Sequence, residues 1–282
     1  MIESPTAPEA LPLTGAVLVA AGAGLVPLAG ALLRHLVPER QGFFARWGFS
    51  HVALALMGGI LAHLAASALL PGEGVLRALN LTLLTMGGFV LVAVWHARNL
   101  TPEGLRAFGF PAELAPEPGR PVRRFNTARA IAAGLLCYAV VVPSIAGLER
   151  VWPSLAGWLE LPLAPSPLLE RLLELRGAHL AWALAVCVLL GPFLEELVFR
   201  GFLQPLLVQN FSATGGVLVT AGLFAALHGA HDFLPLFGLA ALLGFLMLRT
   251  ERLCVPFAVH AAHNALVLLI AFRFPEAREL VQ

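Results

Sequence analysis

Long runs of apolar residues, separated by short polar connections, cover most of the chain. A helix needs roughly 20 apolar residues to cross a bilayer core of about 30 Å. Because lipid admits only helices and closed barrels, the pattern predicts an all-α, polytopic transmembrane helical bundle of about eight spans, or of seven if the short seventh run does not cross. The runs occupy residues 11–36, 51–70, 76–97, 130–148, 178–208, 214–231, 234–249 and 253–273.

The polar connections predict a topology. Arginines cluster after the first and third spans, so the positive-inside rule places both loops in the cytoplasm and, with eight spans, both termini outside. The loop over 101–126 is rich in Pro and Gly, which is typical of a surface connection, and 166–179 has the alternation of an amphipathic interfacial helix. The arginines concerned are Arg34, Arg40 and Arg46 in one loop and Arg98, Arg106, Arg120, Arg123, Arg124 and Arg129 in the other.

Composition agrees with a membrane protein. The 282 residues are 59% hydrophobic and 12% charged, whereas about a quarter of a soluble domain is charged. A formal net charge of +1 gives no reason to expect a nucleic-acid partner, so the lipid bilayer is the expected surrounding. All 18 basic residues are arginine, a bias typical of GC-rich bacteria. The first apolar run is too long for a signal peptide, and we expect a multi-pass protein of the bacterial inner (cytoplasmic) membrane.

Ionisable side chains inside the predicted spans are the candidates for function, because such groups are rare in lipid and mark sites. Glu196 and Arg200 are four residues apart and can neutralise each other on one helical face. Glu195 is rotated about 100° away and is free to face another helix. The full set is Glu195, Glu196 and Arg200 on the fifth span, His228 on the sixth, and His260, His263 and Asn264 on the eighth.

Sequence distance predicts the depth of these residues. Glu195 lies about as far before the turn near residue 210 as His228 lies after it, so an antiparallel pair of helices brings the two level. The depth expected for His260 matches that of Glu195 less well, because His260 follows the turn around residue 252 by only a few residues. Pro192 is expected to kink the fifth helix and open room near the carboxylates, and Pro256 could shift the register of the last helix.

The residue types suggest hydrolysis by water. A carboxylate in an apolar bundle can act as a general base, and Glu195 with His228 could take a proton from water. His260 and Asn264 could donate hydrogen bonds to a developing oxyanion. Phe224 is four residues before His228, as His260 is before Asn264, so each pair shares one helical face.

Three ordered motifs resemble those of the CAAX-processing and bacteriocin-processing (CPBP, or Abi) intramembrane proteases. They are E-E-x-x-x-R from Glu195 to Arg200, F-x-x-x-H from Phe224 to His228, and H-x-x-x-N from His260 to Asn264. The resemblance implies that Glu195 and His228 activate water, that His260 and Asn264 polarise the scissile carbonyl, and that Glu196 and Arg200 support them. It implies a catalytic bundle over 130–273, preceded by N-terminal spans and a loop over 1–129 and followed by a tail over 274–282.

The resemblance leaves a glutamic-type and a zinc-dependent mechanism open. We favour the glutamic type without a cofactor, because Asn264 is a poor zinc ligand and no HExxH sequence occurs. That absence also argues against a site-2 zinc protease. An aspartyl protease needs two aspartates, and Asp232 is the sole one in the sequence. A Ser-Lys protease needs a lysine, and there is none. A rhomboid protease needs a nucleophilic serine within a span, whereas Gly48-Phe49-Ser50 lies at a loop–helix junction. The expected partner is a membrane-associated protein or peptide substrate.

Two functions without proteolysis are alternatives. The first is an immunity or scaffold protein that keeps the bundle but not the reaction, although no motif residue is lost here. The second is a proton-coupled transporter, for which internal pseudo-symmetry is expected, and the first half of the chain has no matching intramembrane acid. His231 and His263 are interpreted as structural residues.

Overall fold

The computed structural model describes residues 15–21, 25, 27, 29–31, 47–100, 108–110, 126–163 and 168–274. These residues are helical with short connections, and none of them forms a strand. The helices are α1 (Phe49–Leu69), α2 (Val75–Leu100), α3 (Thr127–Trp158), α4 (Leu168–Glu174), α5 (Gly177–Phe211), α6 (Ala213–Leu227), α7 (Phe233–Thr250) and α8 (Cys254–Arg273).

Six of these helices, α1, α2, α3, α5, α7 and α8, are long and apolar enough to cross a membrane. The prediction of an all-α polytopic bundle is therefore confirmed, and the protein is a multi-pass membrane protein. The sixth predicted span, 214–231, is shorter than expected, because α6 has 15 residues and ends at Leu227. The first, 11–36, lies partly outside the described residues; those described within it are helical. The count of eight spans remains a prediction.

Two prolines shape α5. The helix winds as a π-helix over Val186–Leu190 and again over Leu197–Leu203, and each segment is followed two residues later by a proline, Pro192 or Pro205. A proline ring clashes with the carbonyl four residues earlier in an α-helix, and wider winding relieves that clash. The first π segment thus ends five residues before Glu195, and the kink expected at Pro192 remains a prediction.

An aromatic cluster joins the two arginine-rich loops at one end of the bundle. Trp47, at the end of the first loop, stacks on Phe202 of α5 at 5.0 Å and lies 5.6 Å from Phe108 of the third loop. Its indole Nε1–H donates to the Phe202 carbonyl oxygen over 2.9 Å. The neighbouring Gly109 carbonyl accepts from the Leu253 amide at 3.1 Å. Trp47 and Phe108 therefore meet, and Phe108 and Gly109 are buried, so this part of the third loop is not a surface connection. The cytoplasmic placement of the two loops remains a prediction.

The predicted interfacial helix over 166–179 is shorter in the structure. It forms α4, Leu168–Glu174, and the chain then turns through Gly177, which has a φ of +57°. Leu172 is buried in a cluster with Val75 of α2 and Ala183 of α5, whereas Glu174 is exposed. One side of α4 therefore packs on the bundle and the other side is polar, as an amphipathic helix requires.

Glycines allow α1 and α2 to pack closely as an antiparallel hairpin. A Cβ added to Gly88 would overlap the Ala62 Cβ and would lie 2.7 Å from the Gly58 carbonyl oxygen. A Cβ added to its neighbour Gly87 meets nothing within 4 Å. Small residues allow such close helix packing in membranes, so Gly88 marks the crossing point of the hairpin.

We therefore expect Gly88→Ala to destabilise the protein by about 1–3 kcal/mol, because the extra methyl group must separate α1 from α2. Gly87→Ala adds the same methyl group to the same helix in open space, and higher helix propensity should leave stability equal or slightly raised. Thermal unfolding in detergent micelles measures both. Equal losses in the two variants would contradict the close crossing.

Candidate active site

A fully buried ion pair lies at the centre of the bundle. The Arg200 guanidinium donates to Glu196 Oε1 over 2.9 Å, and both side chains are 0% exposed. The second guanidinium nitrogen donates to the Ala240 carbonyl oxygen of α7 at 3.2 Å, and the guanidinium carbon lies 4.8 Å from the Phe224 ring centroid on α6. The predicted i,i+4 pair is present, and Arg200 also connects α5 to α6 and α7.

His260 of α8 lies between the two glutamates. Its Nδ1–H donates to Glu196 Oε1 over 2.8 Å, since a carboxylate oxygen can only accept in this contact, and Nε2 lies 3.5 Å from Glu195 Oε2. The bond at Nδ1 fixes the tautomer and directs Nε2 towards Glu195. The imidazole thus connects a fully buried carboxylate to its neighbour.

The register mismatch expected for His260 does not occur. The turn before α8 lies deeper in the bundle than the end of α5, because Leu253 belongs to the same buried cluster as Phe202. His260 follows Leu253 by seven residues, and Glu195 precedes Phe202 by seven residues, so the two come level. Pro256 falls in the first turn of α8, where a missing N–H does not break a helix.

The two glutamates differ in their surroundings. Glu196 is fully buried and is engaged by both Arg200 and His260. The Glu195 side chain is 17% exposed, and its described ion pair is the longer contact to His260. Glu195 is therefore the carboxylate that water or a substrate can reach, whereas Glu196 belongs to the buried scaffold of the site.

His228 caps the end of α6 beside the same cluster. Its Nδ1 lies 2.7 Å from the Phe224 carbonyl oxygen, and because a carbonyl only accepts, Nδ1 carries the proton and Nε2 is left as an acceptor. The Phe224 ring is buried and lies 4.3 Å from the His228 ring and 5.7 Å from the His260 ring. In the described part of the chain no hydrogen bond or ion pair joins His228 to Glu195. The two are connected instead through the Phe224 and His260 rings.

Asn264 satisfies a carbonyl that Pro192 leaves without a partner. In the first π segment of α5 the Gly191 amide bonds the Val186 carbonyl, so the next carbonyl, that of Cys187, would pair with residue 192. Proline has no N–H to donate. The Asn264 Nδ2 group donates to the Cys187 carbonyl oxygen over 2.8 Å, and its second N–H remains available. The sequence signal for this contact is Pro192, five residues after Cys187, because a proline at that position leaves the Cys187 carbonyl without a backbone donor.

Tyr138 is a further neighbour that the sequence did not indicate. Its hydroxyl group lies 3.0 Å from Nδ1 of His263, and the two rings meet edge to face at 5.8 Å. This contact joins α3 to α8 one position before Asn264. His263 therefore has a packing and hydrogen-bonding role, in agreement with its structural interpretation.

The candidate ligands of the site are two imidazoles, two carboxylates and one amide. In the described ranges no group of three His, Cys, Asp or Glu side chains lies close enough to hold a metal ion. Nδ1 of His260 donates to Glu196 and Nδ1 of His228 donates to a carbonyl oxygen, which leaves Nε2 as the free ring nitrogen of each imidazole. A zinc site has three or four ligands converging on one point.

Removal of Arg200 tests the buried ion pair. We expect Arg200→Met to destabilise the protein by about 3–5 kcal/mol, because it leaves the Glu196 carboxylate buried without its cation. The double variant Glu196→Gln/Arg200→Met should lose clearly less than the sum of the two single variants. Thermal unfolding in micelles gives the three values, and strict additivity would show that the pair does not interact.

Asn264→Leu should cost about 1–2 kcal/mol of stability, because the Cys187 carbonyl loses its donor. In a Pro192→Ala background the restored amide can serve that carbonyl, so the cost of Asn264→Leu should fall below half. The control is Asn80→Leu, which removes an amide that accepts from Trp182 at 3.0 Å and should cost the same in both backgrounds. If Asn264→Leu lowers stability equally with proline and with alanine at position 192, the Asn264 amide does not replace the missing backbone donor.

Comparison with known proteins agrees with the motifs. Residues 177–266, which contain all three, match the family model for Rce1-like type II CAAX prenyl endopeptidases. The membrane-embedded CAAX protease MroQ of Staphylococcus aureus (strain USA300) is 30% identical over 99 residues, which cover 32% of this chain and 39% of that protein. The chain thus spans about two fifths of the curated relative that it matches.

No solved structure matches the chain. The family match is narrower than the catalytic bundle over 130–273 that the resemblance implies, so the division of the chain into domains remains a prediction. All three motifs, from Glu195 to Asn264, lie inside the matched segment. The segment that forms the site is therefore similar to the Rce1-like type II CAAX prenyl endopeptidases.

Proposed function

We propose that the protein is an intramembrane endopeptidase of the bacterial inner membrane that hydrolyses a peptide bond in a membrane-associated protein or peptide. The observation that carries the proposal is the unequal pair of glutamates. Glu196 is buried and neutralised by Arg200, whereas Glu195 is partly exposed beside His260. A partly exposed carboxylate inside an apolar bundle is expensive unless it is used.

Glu195 and His228 are proposed to activate the water. The Nδ1–H of His228 is held by the Phe224 carbonyl, which leaves Nε2 to accept a hydrogen bond from a water molecule and orient it. Glu195 is then the general base that takes the water proton. The match of residues 177–266 to the family model for Rce1-like type II CAAX prenyl endopeptidases supports these roles.

His260 and Asn264 are proposed to hold the oxyanion. His260 donates to Glu196 through Nδ1, and the proposed role requires its imidazolium form, whose Nε2–H lies next to Glu195. Asn264 uses one N–H for the Cys187 carbonyl and retains the other. Donors held by other contacts in this way need no reorganisation during the reaction, which makes them effective.

The reaction balances with these groups alone. The water oxygen forms a bond to the carbonyl carbon while Glu195 takes a proton, and the carbonyl electron pair moves to the oxygen that His260 and Asn264 face. When the intermediate collapses, the C–N bond breaks and Glu195 returns its proton to the leaving nitrogen. The products are a new carboxyl terminus and a new amino terminus.

A glutamic-type mechanism without a metal is the version that we propose. It is supported by the described donor set, in which no three His, Cys, Asp or Glu side chains converge on one point, and by Asn264, whose amide is a poor zinc ligand. Cleavage is accordingly expected to persist in the presence of a zinc chelator.

Proteolysis in membranes of the source bacterium tests the proposal. Glu195→Gln and His228→Ala should each lower cleavage at least about 100-fold, because a positioned acid–base group contributes 10²–10⁴-fold. Mass spectrometry of the C-termini and leader regions of membrane and surface proteins gives the readout at matched enzyme levels. The matched controls are Glu174→Gln and His179→Ala, two exposed residues outside the site, and they should cleave as the wild type does.

The outcomes separate the protease from the scaffold alternative. One class of proteins that accumulates uncleaved in both site variants supports the protease and names its substrate. If both variants match the wild type while a full deletion differs, the chain acts without catalysis. The scaffold interpretation would then replace the proposal.

A further inference from the structure

The segment that bears His228 is not held by α6 alone. α6 ends at Leu227, and the chain turns through residues 228–232 before α7 begins at Phe233. The turn is closed by the His228 amide to the Ala225 carbonyl at 3.1 Å and by Gly229, whose φ is +102°, to Ala226 at 3.3 Å. The Phe233 amide also bonds the Ala230 carbonyl at 3.4 Å, and His231 Nδ1 contacts the neighbouring Asp232 at 2.8 Å. The remaining support of the turn comes from other helices.

A buried tryptophan of α3 supplies such a contact. The Trp152 indole Nε1–H donates to the Ala230 carbonyl oxygen over 2.7 Å, two residues after His228. The side chain is 5% exposed, and its ring lies 5.9 Å from the Phe233 ring at the start of α7. One indole therefore packs against the end of the turn and hydrogen-bonds its middle.

Close packing on two sides fixes α3 itself. A Cβ on Gly147 would lie 2.7 Å from the carbonyl oxygen of Gly15 in the N-terminal helical segment. A Cβ on Gly238 of α7 would lie 2.9 Å from Leu148 Cδ1. The turn of α3 that precedes Trp152 is thus confined between two neighbours, and the indole is presented from a rigid support.

We propose that Trp152 is a positioning residue for His228, and this inference rests on the proposed function. The Phe224 carbonyl sets the tautomer of the His228 ring, and the Trp152–Ala230 bond sets the place of the backbone that carries it. Both are needed, because a displacement of about 1 Å in a catalytic group can lower a rate about 100-fold. A helix of the bundle that bears none of the three motifs would thereby take part in the reaction geometry.

Hydrogen–deuterium exchange of the purified full chain in lipid nanodiscs tests the support of the turn. Trp152→Phe keeps an aromatic ring and removes the N–H, so amides of residues 228–233 should exchange at least about fivefold faster. The matched control is Trp47→Phe, a second buried indole that donates to a backbone carbonyl at 2.9 Å, at the other end of the bundle. It should leave the exchange of 228–233 unchanged.

Turnover of the cleavage site found in the membranes tests the link to His228. Trp152→Phe should lower kcat about tenfold with KM unchanged, and in a His228→Ala background it should have no further effect. Trp47→Phe serves as the control. Any loss of kcat that it causes through general instability should be equal in the wild-type chain and in the His228→Ala variant. Should Trp152→Phe fail to fold, a benzothienylalanine at position 152, which replaces the N–H by sulfur at equal ring volume, takes its place.

The results decide between distinct failures. Unchanged exchange, unchanged kcat, or an equal loss of kcat with and without His228 each overturns the role of Trp152 and leaves the protease proposal standing. Wild-type cleavage by Glu195→Gln and His228→Ala overturns the protease proposal, whatever the exchange rates are.

Discussion

A carboxylate with no exposure in an apolar bundle needs compensation, because the desolvation of a charge costs several kcal/mol. Glu196 obtains it from Arg200 on its own helix and from His260 on α8. Arg200 in turn donates to the Ala240 carbonyl on α7 and lies over the Phe224 ring on α6. The need to neutralise one carboxylate thus determines how four helices meet, and the accessible Glu195 owes its place to the same arrangement.

The prolines of α5 extend this arrangement along the helix. Pro192 and Pro205 each follow a π segment, and wider winding changes which side chains face the interior over the next turn. The short α-helical stretch Gly191–Glu196 between the two segments carries both glutamates. Pro192 also leaves the Cys187 carbonyl without a backbone partner, and Asn264 of α8 supplies the missing donor. Pro192 therefore accounts for a second tie between α5 and α8.

Indole groups hold the periphery to the site helices in a common way. Trp47 donates to the Phe202 carbonyl of α5 and Trp152 donates to the Ala230 carbonyl after α6. An indole N–H supplies a donor to a backbone carbonyl and at the same time buries a large apolar surface. The parts of the chain that carry no motif thus stabilise those that do.

The sequence by itself determined the helical bundle, the Glu196–Arg200 pair and the candidate residues, because helical periodicity and the cost of charge in lipid act within one segment. It did not place His260 against both glutamates, nor reveal the Asn264–Cys187 and Trp152–Ala230 bonds. Those depend on the depth of the Leu253 turn, on the winding of α5 and on the position of α3, which counting along a regular helix cannot supply. Only the tertiary structure decided these relations, because they arise between helices whose relative depth is fixed by packing.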